Sequence, residues 1–321
     1  MNLHNAKLPL HFLIGPTASG KSAVALSLAP RINAEILSMD SMAVYRGIDV
    51  LAAKPSASER ARAPHHLIDI VEPHETFSVG RYVEVAEGAV RDITIRGRRA
   101  LFVGGTPLYL KALAEGFFDG PPADHDLRAR LSARAAAEGT WRLHSELSAR
   151  DPTAASRIHP NDLRRIVRAL EVLELTGRPI SEWQTQFGNP SSRYHCTVIG
   201  LRWDRRELYR RIEQRVDEMF ERGLIEEVRK LREHQPPVSL SASQALGYRE
   251  VGLYLEGKIS LAEARTLLQT HTRQFARRQL IWFRTFRNIH WVDVSAADTA
   301  ENVAERIANI FFPAAAQGSS S

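Results

Sequence analysis

The chain has 321 residues, long enough to bury a large core, and with 44% hydrophobic and 25% charged residues it reads as an ordinary soluble globular protein. Its net charge of +6 sets 43 Lys and Arg against 37 Asp and Glu, so the distribution of charge matters more than the sum. One cysteine, Cys196, excludes an internal disulfide or a cysteine-based zinc site and is expected to pack inside a strand in a reducing cytosol, while no apolar run is long enough for a signal peptide or a membrane span.

The first predicted strand, over 10–14, runs into GPTASGKS. This stretch fits G-x-x-x-x-G-K-[ST], with Gly15, Gly20, Lys21 and Ser22 in the fixed places and Pro16, Thr17, Ala18 and Ser19 between them. Val24, Leu26 and Leu28 then suit a helix, so backbone N–H groups and a helix N-terminus converge on an anion and Lys21 adds a mobile positive charge. A second strand is expected over 34–40, a helix from Tyr82 to Thr94, and a third strand over 99–106. Strands alternating with helices indicate an α/β protein, a P-loop NTPase-like parallel sheet flanked by helices.

From 121 to 194 the pattern turns to alanine- and arginine-rich helical periodicity, read as an all-helical insertion between core segments 1–120 and 195–313. After it come a strand over 195–203, one long helix over 205–233, a Pro-Pro break, two more helices and a last strand at IHWVDV. Residues 314–321 read as a flexible tail.

Several residues stand out chemically. An ordinary P-loop NTPase has an apolar strand ending in a magnesium-holding aspartate, but here 99–106 ends in glycines and the carboxylate is Asp40, at the end of the second strand. Asp40 is either a general base facing the phosphate loop, a cap of the following turn, or a holder of magnesium through water. The Thr106 hydroxyl either caps the next helix or reaches the same crevice. Between 264 and 292 lie six arginines and no acid, with Phe275, Trp282, Phe283, Phe286 and Trp291 interleaved. On a single helix Arg273, Arg277 and Arg284 fall within about 40° of one another. In the insertion Asn161 is the expected cap of a helix on which Arg164 and Arg168 stand one turn apart. Such stripes are often only solvated faces, but two of them beside a phosphate site favour nucleic acid. Arg215 sits about 55° from the centre of an apolar stripe, where it either binds phosphate or pairs with an acid.

GPTASGKS, SMDSMAVYRG, AAKP followed by PHHLID, VGGTPLYLKAL, RIHPNDLRRIVRALEV, RIEQRVDEMFERGLIEEV, ALGYRE and RRQLIWFR, in this order over nearly the whole chain, closely resemble the bacterial tRNA dimethylallyltransferases. The resemblance implies transfer of a dimethylallyl group from dimethylallyl diphosphate to N6 of the adenosine 3′-adjacent to the anticodon, in tRNAs reading codons that start with U. Residues Gly15 to Ser22 would hold the diphosphate with Mg2+ near Ser22, Lys21 and Arg215 would neutralise the leaving group, Asp40 would take the amine proton, and Thr106 would complete the catalytic set by touching the substrate nucleotide or the diphosphate. It further implies a cytoplasmic monomer whose insertion grips the anticodon stem-loop, with no membrane contact.

The family's tRNA contacts map onto Asp40, Ser41, Met42, Ala43, Thr106 and Arg128. Within the insertion they map onto Arg164, Arg165, Ile166, Val167 and Arg168, and further on onto Gln244, Ala245, Leu246, Gly247, Tyr248 and Arg249. The last group is Arg277, Arg278, Gln279, Leu280, Ile281, Trp282, Phe283 and Arg284. The family usually has Gln or Leu in the place of Ala43 and often Arg in that of Gln244, departures that bear on tRNA contact or choice. Three other readings compete: an adenylate dimethylallyltransferase, which has no use for a helical insertion and two basic stripes, a P-loop small-molecule kinase, and a non-enzymatic RNA-binding protein.

Overall fold

The computed structural model describes residues 8–116, 120–183 and 194–313; the tail expected at 314–321 lies outside them. The first part of the chain runs β1 (Leu8–Ile14), α1 (Lys21–Arg31), β2 (Ala34–Met39), α2 (Ala57–Arg62), β3 (His65–His66), α3 (Val79–Ile95), β4 (Arg99–Gly104) and α4 (Pro107–Glu115). Helices α5 (His125–Glu138), α6 (Thr140–Arg150), α7 (Pro152–Ala155), α8 (Leu163–Thr176) and α9 (Ile180–Trp183) follow. The chain then continues through β5 (Tyr194–Trp203), α10 (Arg205–Glu221), α11 (Leu224–Glu233), α12 (Tyr248–Leu255), α13 (Leu261–Phe283), β6 (Ile289–Val294) and α14 (Ala300–Phe311).

The six strands form one parallel sheet in the order β3-β2-β4-β1-β5-β6. β1 lies at its centre, buried on both faces, which is why it reads as a near-continuous apolar run. Alternate residues serve opposite faces: Leu13 joins Val24, Leu28, Ile307 and Phe311 of α1 and α14, while Phe12 stacks on Phe102 at 5.0 Å. The register is the feature that matters for function. Ile14 pairs with Gly104 and Gly104 with Met39, so β1, β2 and β4 end level and their following loops share one edge, while β5, with Gly200 opposite Ile14, runs on to Trp203. Gly104 is glycine because a Cβ there would lie 2.1 Å from the Met39 carbonyl oxygen.

Two compact units divide the chain: residues 1–110 with 193–321, and residues 111–192. The break comes ahead of the expected residue 121. The second unit is helical, and its core gathers Leu127, Leu131, Leu143, Leu147, Ile166 and Leu170 from α5, α6 and α8.

Two expectations about elements need correction, the single helix over 205–233 and the cap of α8. The helix expected over 205–233 is two helices, because Gly223 at φ 89° takes the left-handed conformation that ends one and opens the next. Within the arginine-rich stretch α13 carries Arg273 and Arg277 and ends at Phe283, Arg284 caps it, and Trp291 belongs to the expected last strand, β6. The cap of α8 is Asp162, whose carboxylate accepts from Arg165 N, rather than its neighbour Asn161. The amphipathic helix α14 was not anticipated at all, although its Val303, Ala304, Ile307 and Phe311 stand at helical spacing. Cys196 is half-buried in β5, where burial pushes its thiol up to about 11 and leaves it unreactive.

Candidate active site at the carboxyl edge of the sheet

The loop after β1 wraps tightly before entering α1. Ala18 at φ 62° and Gly20 at φ 83° turn the chain, and Gly20 opens the helix with no side-chain cap. The first-turn N–H groups of Lys21, Ser22 and Ala23 therefore have no helical acceptor and point out as an anion site. Ser22 is exposed at this end. Lys21 Nζ folds back to donate to the Pro16 carbonyl at 2.7 Å and to Ser19 Oγ at 3.3 Å. Desolvation, with a smaller push from Arg215, lowers its pKa to about 7, against the pull of Asp40.

A cavity opens beside this loop, lined by Thr17, Lys21 and Ser22, by Asp40, by Gly104 and Gly105 after β4, and by Arg215 and Phe275. Leu26, Ile36, Ala43, Ile68 and Val103 give it apolar walls. Asp40 Oδ1 accepts from Met42 N at 2.8 Å and so holds its own turn, leaving Oδ2 without a donor among the described residues. The turn-holding role thus occupies one oxygen and leaves the other facing the cavity residues. Thr106 starts α4 through its carbonyl, which accepts from Tyr109 N, and its hydroxyl does not cap that helix. Instead Thr106 Oγ1 accepts from Ser41 N at 3.3 Å, linking the ends of β4 and β2.

Arg215 reaches the cavity from α10 and meets no acceptor among the described residues. Desolvation lowers its pKa, against the pull of Asp40 and Glu218. Lys21 and Arg215 thus form a desolvated pair of basic groups with no paired acid, an arrangement that favours an incoming polyanion.

The loop's other side is held by residues that sequence reasoning did not single out. Trp203 Nε1 donates to the Ser19 carbonyl at 3.0 Å, and Arg211 Nε donates to the Ala18 carbonyl at 2.8 Å while its guanidinium lies 4.4 Å over the Trp203 ring. Lys54, of the AAKP stretch, is buried and donates to the Tyr45 carbonyl, Asp49 and Asp69, which folds 45–69 back along the cavity wall. Glu227 adds three bonds from the N–H groups of Asp49, Val50 and Leu51. None of these has a local pattern that would reveal it.

The arginine stripes fare differently from expectation. Arg273 is half-buried and bonded to Glu213 at 2.7 Å, and Arg265 to Asp217 at 2.5 Å, both acids of α10. Arg277, Arg278 and Arg284 are exposed and meet no carboxylate among the described residues, and Ile281 and Trp282 stand exposed between them. In the helical unit Arg128 and Arg168 converge on Glu171, whose carboxylate is fully buried, and Arg165 pairs with Asp162. Arg164 is exposed, as are Gln244 and Arg249. Within the same stretches Ala43, Ile166, Val167, Ala245, Gly247, Gln279 and Phe283 are buried, and Met42, Leu246, Tyr248 and Leu280 pack partly against the core. These side chains shape the surface from beneath.

A phosphate loop following the central strand of an all-parallel sheet, at the point where the strand order reverses, defines a P-loop fold. The profile of the IPP transferase family matches residues 43–286, and the chain belongs to that family. It is similar to a tRNA dimethylallyltransferase of Geobacter metallireducens, 49% identical over 287 residues covering 89% of this chain and 93% of that one. A tRNA dimethylallyltransferase of Symbiobacterium thermophilum is 47% identical over 306 residues, 95% of each chain. Among solved structures, the full-length tRNA isopentenylpyrophosphate transferase of Bacillus halodurans superposes with a TM-score of 0.70 at 42% identity, covering 95% of this chain and 96% of that one. A eukaryotic dimethylallyltransferase acting on tRNA gives a TM-score of 0.80 at 27% identity over 94% of this chain and 78% of that one.

Proposed function

We propose that the protein transfers the dimethylallyl group of dimethylallyl diphosphate to N6 of the adenosine 3′-adjacent to the anticodon of tRNA. One observation carries the mechanism: a single cavity holds an uncapped phosphate loop with two unpaired basic groups at one end and a carboxylate oxygen without a donor nearby. The diphosphate lies on the first-turn N–H groups of α1, with Lys21 and Arg215 taking up charge as the allylic C–O bond breaks. The apolar walls take the five-carbon chain. The N6 lone pair forms the new bond to C1, and Asp40 receives the proton that nitrogen loses. The adenosine must leave its stack to reach this edge.

Ser22 and Asp40 offer hard oxygen donors on the same cavity, a set that suits Mg2+, which when bound would add further charge stabilisation to the diphosphate. The exposed arginines of α13 and Arg164 of the helical unit fit an RNA backbone. No described helix is long and apolar enough to cross a membrane, and the protein works as a cytoplasmic monomer in this reading.

The test is a transfer assay with labelled dimethylallyl diphosphate and magnesium, offering unmodified tRNA in one reaction and AMP or ATP in another. Label on tRNA alone is expected. Label on the nucleotide would make the protein an adenylate prenyltransferase, and label on neither would reopen the kinase reading.

A further inference from the structure

Gln279 stands on α13 between the exposed Arg277 and Arg278 and the exposed Ile281 and Trp282, yet it points the other way and is 5% exposed. Both ends of its amide are engaged. Oε1 accepts from Thr17 N at 2.9 Å, inside the phosphate loop, and Nε2 donates to the Gly105 carbonyl at 2.6 Å, at the end of β4. The next residue, Thr106, accepts from Ser41 N and donates its own N–H to the Met39 carbonyl, which brackets Asp40 on both sides. Hydrogen bonds thus run without a gap from the phosphate loop, through one amide, to the turn that carries the carboxylate. Gly105 lacks a side chain for the same reason: a Cβ there would lie 2.4 Å from Gln279 Nε2 and 3.3 Å from the Gly15 carbonyl oxygen.

We propose that Gln279 is a positioning residue: it clamps the phosphate loop to the strand ends that hold Asp40 and fixes the donor's diphosphate relative to the proton acceptor. It rests on the prenyl-transfer reading for the identity of the donor, but the clamp itself is a property of the protein alone. A primary amide suits this, because one end accepts an N–H while the other donates to a carbonyl. Its place on α13 means that whatever seats on the exposed face of this helix bears on the same clamp from behind.

Two variants approach the clamp from its two sides. Gln279→Met keeps the length of the side chain and removes both bonds, whereas Gly105→Ala leaves α13 intact and displaces the amide. Hydrogen exchange of the ligand-free proteins should show amides in the segments 15–20 and 104–106 exchanging about tenfold faster in both variants, with the rest of the sheet unchanged. In steady state the KM for dimethylallyl diphosphate should rise about tenfold and kcat fall, while affinity for the tRNA changes less than about twofold, since loss of two buried hydrogen bonds falls on the loop. Unchanged exchange in those segments would overturn the clamp. So would a loss of tRNA affinity with the donor KM intact, which would make Gln279 an RNA contact. If the wild type transfers nothing, the prenyl-transfer reading falls while the exchange measurement still decides the clamp.

Discussion

In the helical unit Arg128 and Arg168 close on the buried Glu171 carboxylate, which also accepts from Asp124 N, whereas at the edge of the sheet Lys21 and Arg215 share a cavity without any bonded acid. Desolvation tends to raise the Glu171 pKa, but the hydrogen bonds from Arg128 and Arg168 prevail and hold it below the usual range. At the sheet edge desolvation prevails over the more distant Asp40 and lowers both basic groups. A cation bonded to a buried carboxylate is part of the architecture. A buried basic group left without one is a site held ready for an anion, at a cost to the empty protein that the ligand offsets.

The largest expected effect on stability is on the structural side. Glu171→Gln should destabilise the protein by about 2 kcal/mol, a buried-pair loss reduced because the two guanidinium groups it strands are partly reached by solvent. Denaturant titration would show this, and a loss under 1 kcal/mol, roughly the value of a surface pair, would erase the contrast between the two regions. Asp40→Ala should lower turnover at least about a hundredfold, the usual scale for a general base, with tRNA affinity nearly unchanged. Full single-turnover rates would reject that assignment.

Arg215→Met sharpens the comparison most directly. Affinity for inorganic diphosphate should fall at least about tenfold with loss of a charge-assisted contact, while the ligand-free Tm holds or rises as a desolvated cation is removed. A Tm lowered by several degrees would class Arg215 with Arg128. The same distinction divides α13: replacing Arg277 and Arg284 by Ala should make the salt dependence of tRNA binding shallower by about 1 to 2 in slope, at roughly 0.7 to 0.9 per phosphate contact. Arg273→Ala should leave that slope alone, because its guanidinium is held by Glu213.

The smallest effect is protonic. Lys21 has a pKa of about 7 in the empty site, against 10.5 ordinarily, so near pH 7 about half of the molecules lack the proton that a bound diphosphate restores. Calorimetry in buffers of different ionisation enthalpy should therefore find uptake of roughly half a proton at pH 7, approaching one at pH 8.5 and vanishing near pH 5.5, where Lys21 is already charged. Uptake independent of pH would place the proton elsewhere.

Much of the site was legible because its parts are local. The phosphate loop is a contiguous pattern between a strand and a helix, and Asp40 and Thr106 sit where predicted strands end. The sheet order then made them neighbours: β4 lies between β1 and β2, and the level register of Ile14, Gly104 and Met39 brings three loops to one edge. The basic stripes were harder to read. No acid occurs between 264 and 292, yet Arg265 and Arg273 find Asp217 and Glu213 on α10, 48 and 60 residues away in the chain. Gln279 looked like one residue of an RNA-facing stretch, because helical spacing says which residues share a face but not what lies beneath it.

By itself the amino-acid sequence determined the phosphate loop, the parallel α/β core, the helical insertion and the candidate base, since each follows from residues close together in the chain and from backbone geometry. Only the tertiary structure decided which cations are paired, that one amide joins the phosphate loop to the strand ends, and that Trp203 and Arg211 brace the loop from outside. Those outcomes depend on which distant side chains desolvation and packing bring within hydrogen-bonding reach, and such proximity leaves no trace in local spacing.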